Sequence, residues 1–248
     1  MTSWRARRAL RRIRRNIKRS GYHLYVIIGT QDPNYAYTIG LTDRNLPELV
    51  LAGCVTLHLD EVATVMKSAV AQLAGPSAPS VVEVPGIGNF LLGPVHDSWI
   101  TSLLLGLRHY YQERPTYSCR QLVPATPALQ SYDTPDMSIS MDSAPMWSIE
   151  ERDWELPIPF ESMAIVDLSV ARGEPVTQCS RSDETTWRMW AEDSFALTQD
   201  DTVVVSMGTL LAYDPGLEFT ARMPVDSAVS RRNPEGEWRE AEVTEERD

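Results

Sequence analysis

Between residues 35 and 41 the chain alternates large and small side chains with a period of two. Tyr35, Tyr37 and Ile39 share one face, and Ala36, Thr38 and Gly40 share the other. A period of two belongs to a β-strand. A strand face made only of Ala, Thr and Gly leaves room for close approach, by a packed helix or by a flat ligand. The segment is therefore expected to be a central strand with Gly40 tightly covered. Few folds satisfy both demands, so the surrounding pattern can be read around it.

Tyr22–Ile28 alternates and then becomes wholly apolar, as a central strand would. The turn formers Gln31-Asp32-Pro33-Asn34 separate it from the 35–41 strand. Pro47–Cys54 reads as a third strand. Val62, Val65, Met66, Ala69, Val70 and Leu73 then recur at helical spacing, behind Asp60 as the expected cap. Val81–Val84 and Phe90–Val95 read as a hairpin around Pro85-Gly86-Ile87-Gly88-Asn89. A lone GxG without a following helix is weak evidence for phosphate binding, and a turn is the better reading. A helix from Asp97 or Ser98 to Tyr111 and a strand at Ser118–Val123 complete the half.

Charge is unevenly distributed. Residues 1–20 hold nine Arg/Lys and no acid, whereas residues 126–248 hold 26 acids against nine arginines. The basic stretch reads as a helix over 4–18, with Ala6, Leu10, Ile13 and Ile17 stacked on one face and arginines on the rest. Gly21 is placed to end it. Such a helix either docks on its own domain or lies on a membrane or nucleic acid. The acidic half argues against nucleic-acid binding there, since phosphate contacts need Lys and Arg. It suits plain solubility, or a basic partner steered by charge.

Three ordered motifs carry a family resemblance: Gly21-Tyr22-His23, then Asn34-Tyr35-Ala36-Tyr37-Thr38-Ile39-Gly40-Leu41, then Pro47-Glu48-Leu49-Val50. In this order they resemble the bacterial domain of unknown function 4262 family, over about residues 1–125. The resemblance implies a shared fold, with a docked helix before the Gly-aromatic motif, and no known chemistry. The second half is loosely similar to small β-rich domains associated with bacterial immunity.

The expected architecture is α+β. A mixed sheet with three helices (1–125) is followed by a proline-rich linker or wrapping segment (126–160), an acidic β-rich domain (161–240) and a disordered tail (241–248). Strands are expected at Ala164–Leu168, Pro175–Ser180, Thr186–Trp190, Thr202–Val205, Ser227–Arg231 and Glu237–Val243.

Chemistry is sparsely signalled. His23, His58, His96 and His109 show no metal-ligand spacing, and Cys54, Cys119 and Cys179 form no CxxC. No metal and no cofactor is expected. The absence of a long apolar run or a signal-like segment points to a cytoplasmic chain. Two functions remain. One is a binding protein, of an immunity or defence type, that grips a basic macromolecular partner through acids such as Asp183, Glu184, Asp200 and Asp201. The other is a small-molecule, flavin or nucleotide enzyme whose pocket is formed by His23, Tyr37, Thr38, Gly40 and Glu48. The lack of any catalytic motif favours the first.

Overall fold

The computed structural model describes residues 4–75, 79–112, 117–149, 153–191 and 201–242, apart from the side chains of residues 5 and 6. The chain forms two compact units. The first comprises residues 1–28, 34–129 and 134–144. The second comprises 29–33, 130–133 and 145–248. The short segment 29–33 thus leaves the first unit between two of its strands.

The first unit begins with α1 (Trp4–Ser20), which ends at Gly21. Gly21 adopts φ +82°, and its N–H donates to the Ile17 carbonyl at 2.8 Å, a left-handed helix stop that glycine takes without strain. Six strands follow: β1 (His23–Ile27), β2 (Tyr35–Ile39), β3 (Glu48–Ala52), β4 (Val81–Val84), β5 (Gly88–Pro94) and β6 (Cys119–Pro124). They form one sheet in the order β1-β2-β3-β6-β5-β4. Only the β3–β6 pair is parallel. β2 and β3 are accordingly interior strands, and every residue of β3 is buried.

One face of this sheet carries Ala36, Leu49, Leu51 and Leu122 and packs under α2 (Leu59–Leu73), which contributes Val65, Met66, Ala69, Val70 and Leu73. The helix is capped two residues earlier than its sequence suggests. His58, not Asp60, is the N-cap, and Glu61 Oε2 accepts the His58 backbone N–H at 2.9 Å. The opposite face carries His23, Tyr25, Tyr37, Ile39 and Glu48, as the register His23↔Ile39, Tyr25↔Tyr37 requires.

The helix expected over 97–111 is two: α3 (Asp97–Ser102), capped by the His96 ring, and α4 (Leu105–Tyr110). Leu104 between them has φ −89° and ψ 45°, outside the helical region. This break sets α4 on its own axis over the tyrosines, where Gly106 is essential. A Cβ there would lie 2.5 Å from Tyr37 Oη.

α1 is docked. Ile13 is 2% exposed, and Arg12 lies over the Tyr25 ring at 5.9 Å. Arg7, Arg8, Arg11, Arg14 and Arg15 remain exposed. Gly40, at φ +110°, meets the helix directly, because a Cβ there would lie 2.8 Å from Ile17 Cγ1. Gly40 lies just past the end of β2, so its close cover comes from α1, whereas the small face at Ala36 is covered by α2.

The second unit holds β7 (Met163–Asp167), β8 (Gln178–Arg181), β9 (Thr186–Trp190), β10 (Thr202–Ser206), β11 (Ser227–Ser230) and β12 (Arg239–Ala241), in the order β10-β7-β9-β8-β11-β12. Trp187 and Met189 are buried while Arg188 and Trp190 are half-buried, as the alternation implies. Residues 243–248 of the expected tail lie outside the described residues. Helices that the β-rich reading lacks are also present: α5 (Leu168–Ala171), α6 (Met207–Tyr213) and a 3₁₀ stretch over Pro215–Arg222. Buried polar side chains hold these joints. Asp167 caps α5 through the Val170 N–H at 2.7 Å and accepts the Ala191 N–H at 2.8 Å. Gln31, fully buried, accepts the Gly208 N–H and donates to the Phe160 carbonyl. Trp147 donates to the Asp133 carbonyl at 3.2 Å.

Ile13→Ala is expected to cost about 2–5 kcal/mol, the usual range for truncating a buried isoleucine. Gly40→Val should cost about 1–3 kcal/mol by overpacking. Because the new side chain meets Ile17, the Ile17→Ala/Gly40→Val pair should be less destabilised than the sum of its singles. Denaturant midpoints of the four proteins check this. Unchanged stability in Ile13→Ala would mean that the helix is not docked.

Candidate functional site

Thr38, Gly40 and Glu48 come together at the end of β2, where the chain turns toward β3. Glu48 is fully buried. Its Oε2 accepts from the Thr38 hydroxyl at 2.7 Å. Its Oε1 accepts from the Gly40 N–H at 3.0 Å, the Thr42 N–H at 3.0 Å and the Tyr111 hydroxyl at 2.7 Å. Thr38 Oγ1 in turn accepts the Leu49 N–H at 2.8 Å. A buried carboxylate without partners is costly, and four donors offset that cost. They also tie together the β2–β3 connection and the end of α4. Burial first, then the negative charge of Glu48, pushes the Tyr111 phenol far above its ordinary pKa, so it stays a donor.

Tyr37 belongs to an adjoining aromatic row. Its ring lies 5.3 Å from Tyr25 and 6.1 Å from Tyr35, and its hydroxyl accepts the Gly106 N–H at 3.2 Å. Burial is the main reason that its phenol is pushed well above the usual value. His23 closes the row, edge-on to Tyr25 at 4.5 Å. It is 5% exposed, with Nδ1 2.9 Å from Asn16 Nδ2 of α1 and Nε2 without a partner among the described residues. Burial, then the Arg12 guanidinium, lowers its pKa.

The five candidates therefore divide. Thr38, Gly40 and Glu48 bond to one another and to the Tyr111 hydroxyl, while His23 and Tyr37 line the seat of α1 and α4. Tyr111, Thr42 and Asn16 complete these contacts, and the sequence reading did not single them out. Tyr111 is 63 residues from Glu48, and no local pattern announces such a partner. On the opposite, Ala36 face a cavity of about 20 Å³ lies beside Val26, Cys54 and Leu57, room for about one water.

The acidic candidates also divide. Asp183 Oδ1 accepts the Thr185 N–H at 2.7 Å and shapes the β8–β9 turn, with exposed Glu184 beside it. These bonds hold the Asp183 carboxyl below its usual pKa. Asp201 immediately precedes β10, at the other end of the sheet, because Thr202 pairs with Asp167 while Thr186 pairs with Met163. Five strand residues at about 3.3 Å each place the two ends roughly 15 Å apart. Asp200 lies outside the described residues.

Among the described residues no three His, Cys, Asp or Glu side chains are grouped to hold a metal, and no helix is long and apolar enough to cross a membrane. The three cysteines are buried and form no disulfide. Burial pushes the Cys119 and Cys179 thiols up to about 12, which keeps them protonated and poor nucleophiles.

Two outcomes are expected here. Tyr111→Phe removes one donor from a buried carboxylate and should cost about 1–3 kcal/mol in denaturant unfolding. His23 binds a proton less readily folded than unfolded. Its contribution to stability is therefore intact above the unfolded pKa of about 6.5 and is lost as pH falls below it toward the lower folded value. Melting temperatures between pH 7.5 and 5 should drop less in His23→Gln than in the parent. An identical slope in both would remove His23 as the source.

Compared with known proteins, residues 16–128 match one family, described as domain of unknown function (DUF4262). No curated protein and no solved structure matches the chain. The motifs Tyr35–Leu41 and Pro47–Val50 fall within the matched span, as do β1 to β6, α2, α3 and α4. Over residues 16–128 the chain is similar to the domain of unknown function (DUF4262) family.

Proposed function

We propose that the protein is a binding protein whose acidic second unit engages a basic macromolecular partner. The observation that carries this reading is how two arginines of that unit, Arg181 and Arg231, are used. Arg181 donates to the carbonyls of Asp183, Glu184 and Met223 and lies 4.5 Å over the Trp187 ring. Arg231 donates to the carbonyls of Val176 and Pro234 and lies 4.6 Å over Trp238. Both serve backbone and aromatic rings, in a half that already has 26 acids to nine arginines. The acidic excess is therefore left to the surface, with Glu184, Glu235, Glu237 and Glu240 exposed. Such a field attracts cationic surfaces and raises association rates. A cationic toxin, neutralised by an immunity-type protein, is one partner of this chemistry.

The pocket reading of His23, Tyr37, Thr38, Gly40 and Glu48 gains less support. The oxygens of Glu48 already receive four donors from the protein itself. The first unit serves, in this reading, as a scaffold.

Association with a captured basic partner should slow as ionic strength rises, since exposed charges are screened beyond about 8 Å at physiological salt. Reversing Glu184 and Glu237 to lysine should slow association more than it speeds dissociation. Surface plasmon resonance at low and high salt separates the two rates. Purified protein carrying a tightly bound flavin or nucleotide, with no salt-sensitive partner, would replace this reading by the enzymatic one.

A further inference from the structure

A cavity of about 190 Å³ lies within the second unit, at the end of its sheet where β10 begins. Its floor is apolar, built from Val170 of α5, Val176, Leu210 of α6 and Leu217 of the 3₁₀ stretch. Its remaining walls include the carboxylates Glu174 and Asp214 and the ring of Tyr213. These parts arrive from three directions for separable reasons. Arg172 and Gly173, with Gly173 at φ +99°, close α5 and turn the chain toward Glu174, whose N–H bonds the Ser169 carbonyl at 3.0 Å. Asp214 terminates α6 and accepts the Gly216 N–H at 3.0 Å, which starts the 3₁₀ stretch. The Tyr213 ring lies 4.9 Å from that of Tyr132, tilted by 32°, and stays 43% exposed, with its hydroxyl 3.4 Å from the Gly173 carbonyl.

We infer that this cavity is a binding site for an aliphatic cation, an ammonium or guanidinium carried on a short hydrocarbon stem. The volume fits one such chain and little more, being below the usual range for larger organic ligands. The four aliphatic side chains cover the stem. Glu174 and Asp214 supply charge-assisted acceptors for the head group, and the exposed Tyr213 ring offers a cation–π face. An anionic ligand of the same shape would meet two carboxylates and no basic side chain of the lining. A purely apolar ligand would leave those carboxylates against it without gain. Two sources supply this chemistry: a lysine or arginine side chain of a protein partner, and a free alkyl amine or diamine. The inference deepens the reading of the second unit as an acidic binding module, and it gives that module a specific anchor.

The full-length chain is titrated with hexylamine, hexanoate and hexanol by calorimetry, and separately with cadaverine and with a short lysine-containing peptide. Hexylamine should bind at least tenfold more tightly than hexanoate or hexanol. The Glu174→Gln/Asp214→Asn double variant should lose about tenfold of that affinity, the equivalent of roughly 1.4 kcal/mol. Asn at 214 still accepts the Gly216 N–H, so the turn is kept while the charge is removed, and an unchanged melting temperature verifies this. Hexylamine binding no better than hexanoate, or binding untouched in a folded double variant, overturns the site. Should that happen while salt-sensitive capture of a basic protein persists, the pocket fails and the charge reading stands. Binding of the peptide assigns the site to a protein partner. Binding of cadaverine without the peptide keeps the site, assigns it to free amines, and removes its link to a macromolecule.

Discussion

The first unit is organised by one buried charge. Glu48 starts the interior strand β3, is wholly removed from solvent, and has no basic side chain among its hydrogen-bond donors. Its oxygens are satisfied by donors gathered from three places: the strand residue Thr38, the backbone of the turn at Gly40 and Thr42, and the phenol of Tyr111 at the end of α4. A charge satisfied this way has geometric consequences that an apolar residue would not. Each donor must lie near 3 Å, which fixes where the turn runs and where α4 ends. The carboxylate thus behaves as an internal fastener, which explains a glutamate in an otherwise apolar strand without calling on catalysis.

Around that fastener, two glycines set how closely helices approach the sheet. Gly40 admits Ile17 of α1, and Gly106 lets α4 rest on the hydroxyl of Tyr37. A side chain at either position would lift a helix off the face that carries His23 and the tyrosines. Burial of that face lowers the basicity of His23 and raises the tyrosine pKa values. The perturbed groups of this unit therefore follow from packing. Perturbed pKa values often mark functional sites, but buried structural networks produce them as well.

The second unit presents a different balance. Its buried polar residues, Asp167, Ser206 and Gln31, cap helices and bridge loops, while its carboxylates outnumber nearby cations. Arginine is versatile enough to serve carbonyls and aromatic faces at once, and Arg181 and Arg231 do both. The surface charge that remains, and the acid-rimmed apolar cavity at one end of the sheet, point toward cationic ligands.

Much of this was legible in sequence. Strand-like runs bounded by turn formers located the twelve strands, and in β9 the alternation of side chains records a buried and a half-buried face. The small face of β2 foretold that Gly40 would be closely covered, and the 4–3–4 spacing of Ala6, Leu10, Ile13 and Ile17 foretold a helix with an apolar side. α6 escaped, since Gly208 and Thr209 are weak helix formers and the helix depends on Ser206 as its cap and on tertiary packing. The break at Leu104 escaped because nothing in Leu103-Leu104-Leu105 opposes a continuous helix; the seat on Tyr37 imposes it. The sequence by itself determined which residues alternate, where charge accumulates and which glycines can yield space, because these are local properties of side chains. Only the tertiary structure decided that Ile17 would cover Gly40, that Tyr111 would answer Glu48 and that Asp183 and Asp201 would stand at opposite ends of a sheet. Contacts between distant residues depend on pairing register and packing, and no single segment of the chain contains them.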